Sequence, residues 1–317
     1  MNAPKIEGII KAHERILGHV HKTPVLSSES INSITQSHLL FKCENFQKVG
    51  AFKFRGATNA VKKLSTDELS RGVCTHSSGN HAQALSLAAK QAGTKAYIVM
   101  PETAPRIKVN AVKSYGADIF FCKPTLAARE EKLEEVQKRT GAHFIHPYNH
   151  PDIIAGQGTA AFELINDYPD LDLIMAPVGG GGLMGGTSIA AHSMAPSMEI
   201  YGAEPANADD AKRSLESGRL IPSVNPNTIA DGLLTSLSDL TFQILSDKLD
   251  GILTCTEDSI LQAMKLIYER MKIVVEPSGA VPLAVVLEHP DVFRNKRCGL
   301  IISGGNLDLA RFDFSAF

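Results

Sequence analysis

The sequence predicts an α/β protein built on parallel sheets with helices on both faces. Short apolar runs alternate almost throughout with stretches that repeat Leu, Ala, Val or Ile at three- and four-residue spacing. That alternation belongs to parallel sheets whose crossovers are helices. The length, 317 residues, exceeds what one ordinary core usually reaches, so one large or two moderate domains are expected. Strands are expected at 39–44, 72–76, 96–100, 118–122, 143–146, 173–178, 199–203, 251–255 and 299–302. Ile6, Ile9, Ile10, Ile16, Leu17 and Val20 recur at helical spacing between charged residues. Helical runs follow at 58–64, 80–92 and 127–139, and another helix opens near Met184. The even block from 72 to 147 suits a small lobe of its own (71–147), leaving 1–70 and 148–317 for a larger lobe around it.

Composition removes several function classes. An apolar fraction of 44% and a charged fraction of 21% are those of a globular protein, and a net charge of −2 without a Lys/Arg run gives no footprint for nucleic acid. No apolar stretch approaches membrane-spanning length, and the charged N-terminal pattern is not that of a signal peptide. Cys43, Cys74, Cys122, Cys255 and Cys298 form no C-x-x-C pair and suit reduced thiols in a core. A cytoplasmic location is the expectation.

The most telling stretch is Gly50-Ala51-Phe52-Lys53-Phe54-Arg55-Gly56-Ala57. An extended segment here would anchor Phe52 and Phe54 on one side and turn Lys53 to the other. A lysine held so, partly desolvated, has a depressed pKa and an amine available to carbonyls. The same run would also suit a strand-end lysine that snorkels to water.

Gly179-Gly180-Gly181-Gly182-Leu183 follows the strand at 173–178 and opens a helix. Residues without side chains let N–H groups converge on an anion, and a helix N-terminus adds positive partial charge, so a phosphate is the natural guest. Gly180-x-Gly182-x-x-Gly185, with Glu204 beyond it, also satisfies a dinucleotide fingerprint and raises a nicotinamide-dependent oxidoreductase as the rival. A dehydrogenase has no need of the lysine segment, which weighs against that rival. No Gly-Lys-Ser or Gly-Lys-Thr follows the glycines, so the Walker pattern is out.

Further loops sit at strand ends. Ser77-Ser78-Gly79-Asn80-His81 offers hydroxyls and N–H groups at a helix start, suited to a carboxylate, although a plain N-cap needs one Ser. Ser303-Gly304-Gly305-Asn306 ends the last strand at the edge where open α/β sheets bind ligands. Glu204, Ala208 and Asp210 offer two carboxylates and a carbonyl, suited to Mg²⁺, Mn²⁺ or Ca²⁺ with water completing the shell; a merely solvated acidic loop is the plain alternative. His76, His81 and His146 have no metal-ligand spacing and read as packing or hydrogen-bonding residues. No Gly-x-Ser-x-Gly elbow supports a serine hydrolase.

Together these motifs closely resemble the fold-type II family of pyridoxal-phosphate enzymes, specifically the serine/threonine dehydratases, with serine racemases and hydroxyaspartate dehydratases nearest. The likeness also covers Lys22-Thr23-Pro24-Val25, Gly156-Gln157-Gly158-Thr159 and Glu276-Pro277-Ser278-Gly279-Ala280. It implies a tryptophan synthase β-like fold of two open, mostly parallel twisted sheets, a large domain with a smaller inserted one. It implies that Lys53 holds the cofactor covalently and acts as base at the substrate α-carbon. Gly179, Gly180, Gly181, Gly182 and Leu183 would bind the phosphate, Asn80 the phenolic oxygen, Phe52 the ring face and Ser303 the pyridine nitrogen. Ser77, Ser78 and Asn80 would hold the substrate carboxylate, with His81, Arg129 and Tyr148 beside the substrate. Ser78 would handle the proton on the face opposite Lys53. Glu204, Ala208 and Asp210 match a divalent-cation site.

The resemblance thus implies β-elimination from a β-hydroxy amino acid (L-serine, L-threonine or threo-3-hydroxyaspartate) to a 2-oxo acid and ammonia, or interconversion of L- and D-serine. It also implies a homodimer and leaves room for a nucleotide effector. A protein that carries pyridoxal phosphate without turnover is the further alternative. Three departures stand out. Ala51 replaces the family's usual Ser, Tyr148 replaces the Asn of animal serine racemase, and the chain ends soon after Asn306, so isoleucine feedback through a regulatory region is not expected.

Overall fold

The computed structural model describes residues 2–77, 79–104 and 106–308. Ten strands are found among them. They are β1 (Val25–Leu26), β2 (His38–Cys43), β3 (Val73–His76), β4 (Ala96–Pro101), β5 (Asp118–Cys122), β6 (His143–Phe144), β7 (Leu173–Pro177), β8 (Glu199–Pro205), β9 (Gly251–Cys255) and β10 (Arg297–Ile302). Six form one sheet in the order β1-β2-β10-β7-β8-β9, and four form a second in the order β5-β4-β3-β6. Every pairing is parallel except β1 with β2. Each strand expected from the sequence is present, with ends displaced by a few residues. The exception is β1, absent from the expectation because two residues beside Pro24 carry no periodic signal.

Helices on both faces of the six-stranded sheet explain why its strands read as continuous apolar runs. Successive residues of β10 divide between the two faces. Leu300 and Ile302 join the core with Phe41, Met175 and the helix Pro277–Glu288, while Ile301 joins the core with Ile174, Ala176 and the helices Pro151–Asp167 and Gly182–Met194. The four-stranded sheet has its own cores. Val73, Ile98 and Met100 pack with Phe54, Ala57, Val61 and Leu85 on one face, and Cys74, Val99, Leu133 and Val136 on the other. All five cysteines are free thiols inside these cores.

The lysine segment departs from expectation. Only Ala51 is extended (φ −161°, ψ 151°), forming an antiparallel bridge with Gly304. Phe52 already has helical dihedrals, and Lys53 begins the helix Lys53–Lys62. Phe52 and Phe54 therefore do not share a face, because residues two apart on a helix point about 200° from one another. Phe54 is fully buried against the four-stranded sheet, while Phe52 is half-buried beside the six-stranded one. The turn is tight. Gly50 has φ +68°, and a Cβ there would stand 2.6 Å from Asn306 Oδ1.

Among the described residues no helix is long and apolar enough to cross a membrane.

Candidate active site

The carboxyl ends of neighbouring strands gather the candidate residues. β10 lies between β2 and β7, so Ser303, just beyond Ile302, comes out beside the glycine turn that follows β7. The backbone N–H of Phe52 donates to the carbonyl of Ser303 at 3.0 Å, and that of Gly305 to the carbonyl of Gly50 at 2.9 Å. The start of the lysine helix is thereby stitched to the end of β10.

Lys53 is half-buried, and its amine sits deep. Nζ donates to the carbonyl of Pro147 at 3.0 Å and lies 5.1 Å from the centre of the Phe52 ring. Burial lowers the ammonium to about 8, against the pull of the Glu276 carboxylate, which favours the charged form. The partial positive charge at the helix start acts in the same direction as burial.

Tyr148, next after Pro147, connects that amine to the glycine turn. A Cβ on Gly180 would stand 2.4 Å from Tyr148 Cδ1, and one on Gly182 would stand 2.9 Å from Tyr148 Cβ. The glycines thus let the tyrosine lie directly on the turn. Gly181 has φ +82°, a conformation that glycine tolerates without strain. The helix Gly182–Met194 starts here with buried Leu183 in its first turn, and its first N–H groups lack acceptors within the helix. A cradle that any Cβ would fill, at a helix N-terminus and beside a lowered amine, fits a phosphate ester carrying an aldehyde.

Asn80 begins the helix Asn80–Gln91 beyond Ser77, which is half-buried. Its Nδ2 donates to both oxygens of Glu276 (2.9 and 3.1 Å), and its Oδ1 accepts from Asn306 Nδ2 at 2.9 Å. Glu276, deep beside the lysine, is pushed up to about 7 by burial, and Asn80 opposes that shift. In the sequence Glu276 is visible only within a motif, without a place in the site. The available signal was a carboxylate set between Val274-Val275 and a helix-starting Pro277, where no solvated face is expected.

The remaining candidates divide by position. His81 is buried inside the wall, with Nε2 against the carbonyl of Ile145 at 3.2 Å, and burial keeps its ring neutral. His146 lies edge-on to both His76 and Tyr148, and burial lowers it to about 4. Arg129, on the helix Leu126–Thr140, is half-buried with its Nε unpartnered. Burial, then Asp210 and Glu130, raise the Tyr148 phenol. Ser78 lies outside the described residues.

Glu204, at the end of β8, accepts the N–H groups of Ala211 (3.2 Å) and Lys212 (2.9 Å) at the start of the helix Asp210–Ser217. Burial raises its carboxyl to about 8 and that of Asp210 to about 6, and Asp210 Oδ2 is a buried oxygen without a partner. Among the described residues no three His, Cys, Asp or Glu side chains converge on one point, so a cation here would rely on carbonyl and water oxygens. Two buried carboxylates, one with an orphaned oxygen, fit such a hard cation.

Fold and site together define a vitamin B6 enzyme. A family model described as "Pyridoxal-phosphate dependent enzyme" matches residues 16–304, and the chain belongs to that family. It has the fold of type II members, and the nicotinamide reading falls with this assignment. The chain is 47% identical over 315 residues to beta-hydroxyaspartate dehydratase of Paracoccus denitrificans, covering 99% of this chain and 100% of that one. It is 50% identical over 309 residues to serine racemase of Dictyostelium discoideum, covering 96% and 95%. The crystal structure of that racemase superposes with a TM-score of 0.93, covering 96% of this chain and 99% of its own. A T.th. threonine deaminase, 42% identical, superposes at 0.92 over 96% of this chain and 99% of that one.

Proposed function

We propose that the protein is a dehydratase of β-hydroxy amino acids (L-serine, with L-threonine or threo-3-hydroxyaspartate as further substrates) that releases a 2-oxo acid and ammonia. It also interconverts L- and D-serine at the same site. The observation that carries this reading is the Lys53 amine, lowered by burial and joined through Pro147 and Tyr148 to the glycine cradle. The dehydratase and racemase relatives support it.

Pyridoxal phosphate, when bound, supplies an electron sink for the substrate α-carbon. Lys53 would hold it, and Gly179, Gly180, Gly181, Gly182 and Leu183 would bind its phosphate. Asn80, Phe52 and Ser303 would flank its ring. Ser303 offers a neutral partner, which suits a reaction whose leaving hydroxyl takes the electrons over one needing a long-lived carbanion. Lys53, about half uncharged at pH 8, would take the α-proton on one face, and Ser78 would handle it on the other. Ser77, Ser78 and Asn80 would seat the carboxylate, with His81 behind them in the wall and Arg129 and Tyr148 toward the side chain. Residues 71–147 would close over the substrate as a small lobe against 1–70 and 148–317. Lys108 and Asp231, paired at 2.5 Å, support a contact between these lobes. Glu204, the Ala208 carbonyl and Asp210 would hold Mg²⁺, or Mn²⁺ or Ca²⁺ in its place. We further assign the chain to a cytoplasmic homodimer, with a nucleotide effector as an added regulator.

Purified protein should be yellow, and Lys53→Ala should abolish both the visible band and 2-oxo acid release from a panel of L- and D-hydroxy amino acids. A colourless protein would refute the assignment of the cradle. A yellow protein that turns over none of the panel would reduce the chain to a cofactor carrier.

A further inference from the structure

One charged cluster takes no part in the chemistry above, and it lies behind the lysine helix. Arg55 is 0% exposed. Its Nε and Nη2 donate to the two oxygens of Glu44 (2.7 and 2.8 Å), and its Nη1 and Nη2 to the two of Glu163 (2.7 and 2.8 Å). Nη1 also reaches Thr159 Oγ1 at 3.2 Å, and Nη2 the carbonyl of His21 at 3.3 Å. Lys42, equally buried, donates to Glu163 Oε2 (2.7 Å) and to the carbonyl of Thr23 (2.8 Å). Thr23 Oγ1 donates to Glu44 Oε1 at 2.6 Å. Two buried cations therefore face two buried carboxylates in a closed, neutral box.

Stability is a weak reason for such a box. Desolvating four ions offsets most of their attraction, and well-packed apolar residues often serve as well or better. A double fork of planar pairs does specify orientation, because each guanidinium edge accepts a carboxylate in one geometry only. What it orients follows from position. Arg55 lies two residues beyond Lys53, hence on the opposite side of the first helical turn. Its partners come from the turn after β2, the segment ahead of β1 and the helix Pro151–Asp167. The other grips on this turn are backbone bonds and close packing: the Phe52 N–H on the Ser303 carbonyl (3.0 Å), the Gly56 N–H on Gln157 Oε1 (3.0 Å), and the crossing of Gly56 and Gly156, where a Cβ on Gly156 would stand 2.6 Å from Gly56 Cα.

We propose that Arg55, held by Glu44 and Glu163, is a positioning residue that fixes the first turn of its helix and so keeps the Lys53 amine in its water-poor place. The purpose rests on the reading of Lys53 given under Proposed function, but the test needs no cofactor. The amine faces the Pro147 carbonyl, the Phe52 ring, Glu276, His81 and His146. A first turn that slips would admit water, and the amine would move back toward the 10.5 of an ordinary lysine.

Cofactor-free protein is labelled competitively with acetic anhydride from neutral to alkaline pH, and acetylation of Lys53 is read by peptide mass spectrometry, with exposed Lys62 on the same helix as control. Wild type is compared with Arg55→Lys and with the double variant Arg55→Met/Glu44→Gln, which leaves Lys42 paired with Glu163; circular dichroism checks folding. The labelling midpoint of Lys53 should rise by about one pH unit or more in both variants, with Lys62 unmoved. An unchanged, lowered midpoint in a folded variant would overturn the role of Arg55 and leave the backbone bonds and the glycine crossing as the clamp. Failure of both variants to fold would also count against it, by making the box a folding requirement. A wild-type midpoint at the ordinary lysine value would sink the reading of Lys53 itself.

Discussion

The N–H of Phe52 is bonded to the carbonyl of Ser303 at 3.0 Å, so residues 251 positions apart in the sequence, 52 and 303, are fixed against one another. The side chains on either side of that bond, Lys53 and Ser303, are the two expected to meet the two ends of one cofactor ring. Their separation is set by backbone, not by flexible side chains, and the predictions below probe what surrounds that pair.

Gly180 should tolerate no side chain while Tyr148 is in place. Gly180→Ala would drive a Cβ to 2.4 Å from the tyrosine ring. Overpacking of this kind costs about 1–3 kcal/mol. The expected result is a lower thermal midpoint and a weaker titration with pyridoxal phosphate. Adding Tyr148→Ala should recover much of the lost stability; no recovery would place the strain elsewhere.

Lys53 should give cofactor-free protein an unusual alkaline stability. Its folded value of about 8 lies below the unfolded 10.5, so between these the unfolded chain binds the extra proton. Stability contributed by this group therefore rises with pH across that window, and the cost of burial is fully present below it. Relative to Lys53→Met, wild type should gain roughly 3 kcal/mol from pH 8 to pH 10.5. Glu276 works in reverse. Its folded value of about 7 exceeds the usual 4.5, so its contribution is lost as pH rises through that range, and Glu276→Gln should flatten the acid-side slope. Parallel unfolding curves for wild type and variants across both windows would contradict these shifts.

Removal of divalent metal should weaken the enzyme. With Glu204 and Asp210 pushed up by burial, a cation would offset two desolvated carboxylates. Chelation should lower both the thermal midpoint and 2-oxo acid release, and Mg²⁺ should restore them. A ligand at a hundred times its dissociation constant adds about 2.7 kcal/mol. Asp210→Asn should lose the Mg²⁺ response. Indifference of wild type to chelator would remove Glu204, Ala208 and Asp210 from the site.

Ser78→Ala should separate the two activities. If Ser78 handles the proton on the second face as proposed, loss of its hydroxyl should reduce D-serine formation far more than elimination of L-serine, by about 100-fold or more, a usual range for a proton-transfer group. Equal losses in both assays would refute the two-face assignment.

Strand–helix alternation alone determined the parallel-sheet α/β class, and the division into two sheets came from the resemblance. Strands buried on both faces must read as short apolar runs, and β5 and β9 fall at the expected bounds. The glycine turn was legible for the same kind of local reason, since four residues without side chains at a strand-to-helix junction have few other uses. Tertiary structure decided the rest. Extended backbone at Phe52-Lys53-Phe54 satisfied the local pattern, but pairing of Ala51 with Gly304 ends the strand there and starts a helix, because long-range hydrogen bonds outweigh local preference. Glu276 facing Lys53, Tyr148 seated on Gly180, and Arg55 between Glu44 and Glu163 each join residues from distant parts of the chain. Burial and electrostatics act through space, and sequence spacing carries no record of such distances.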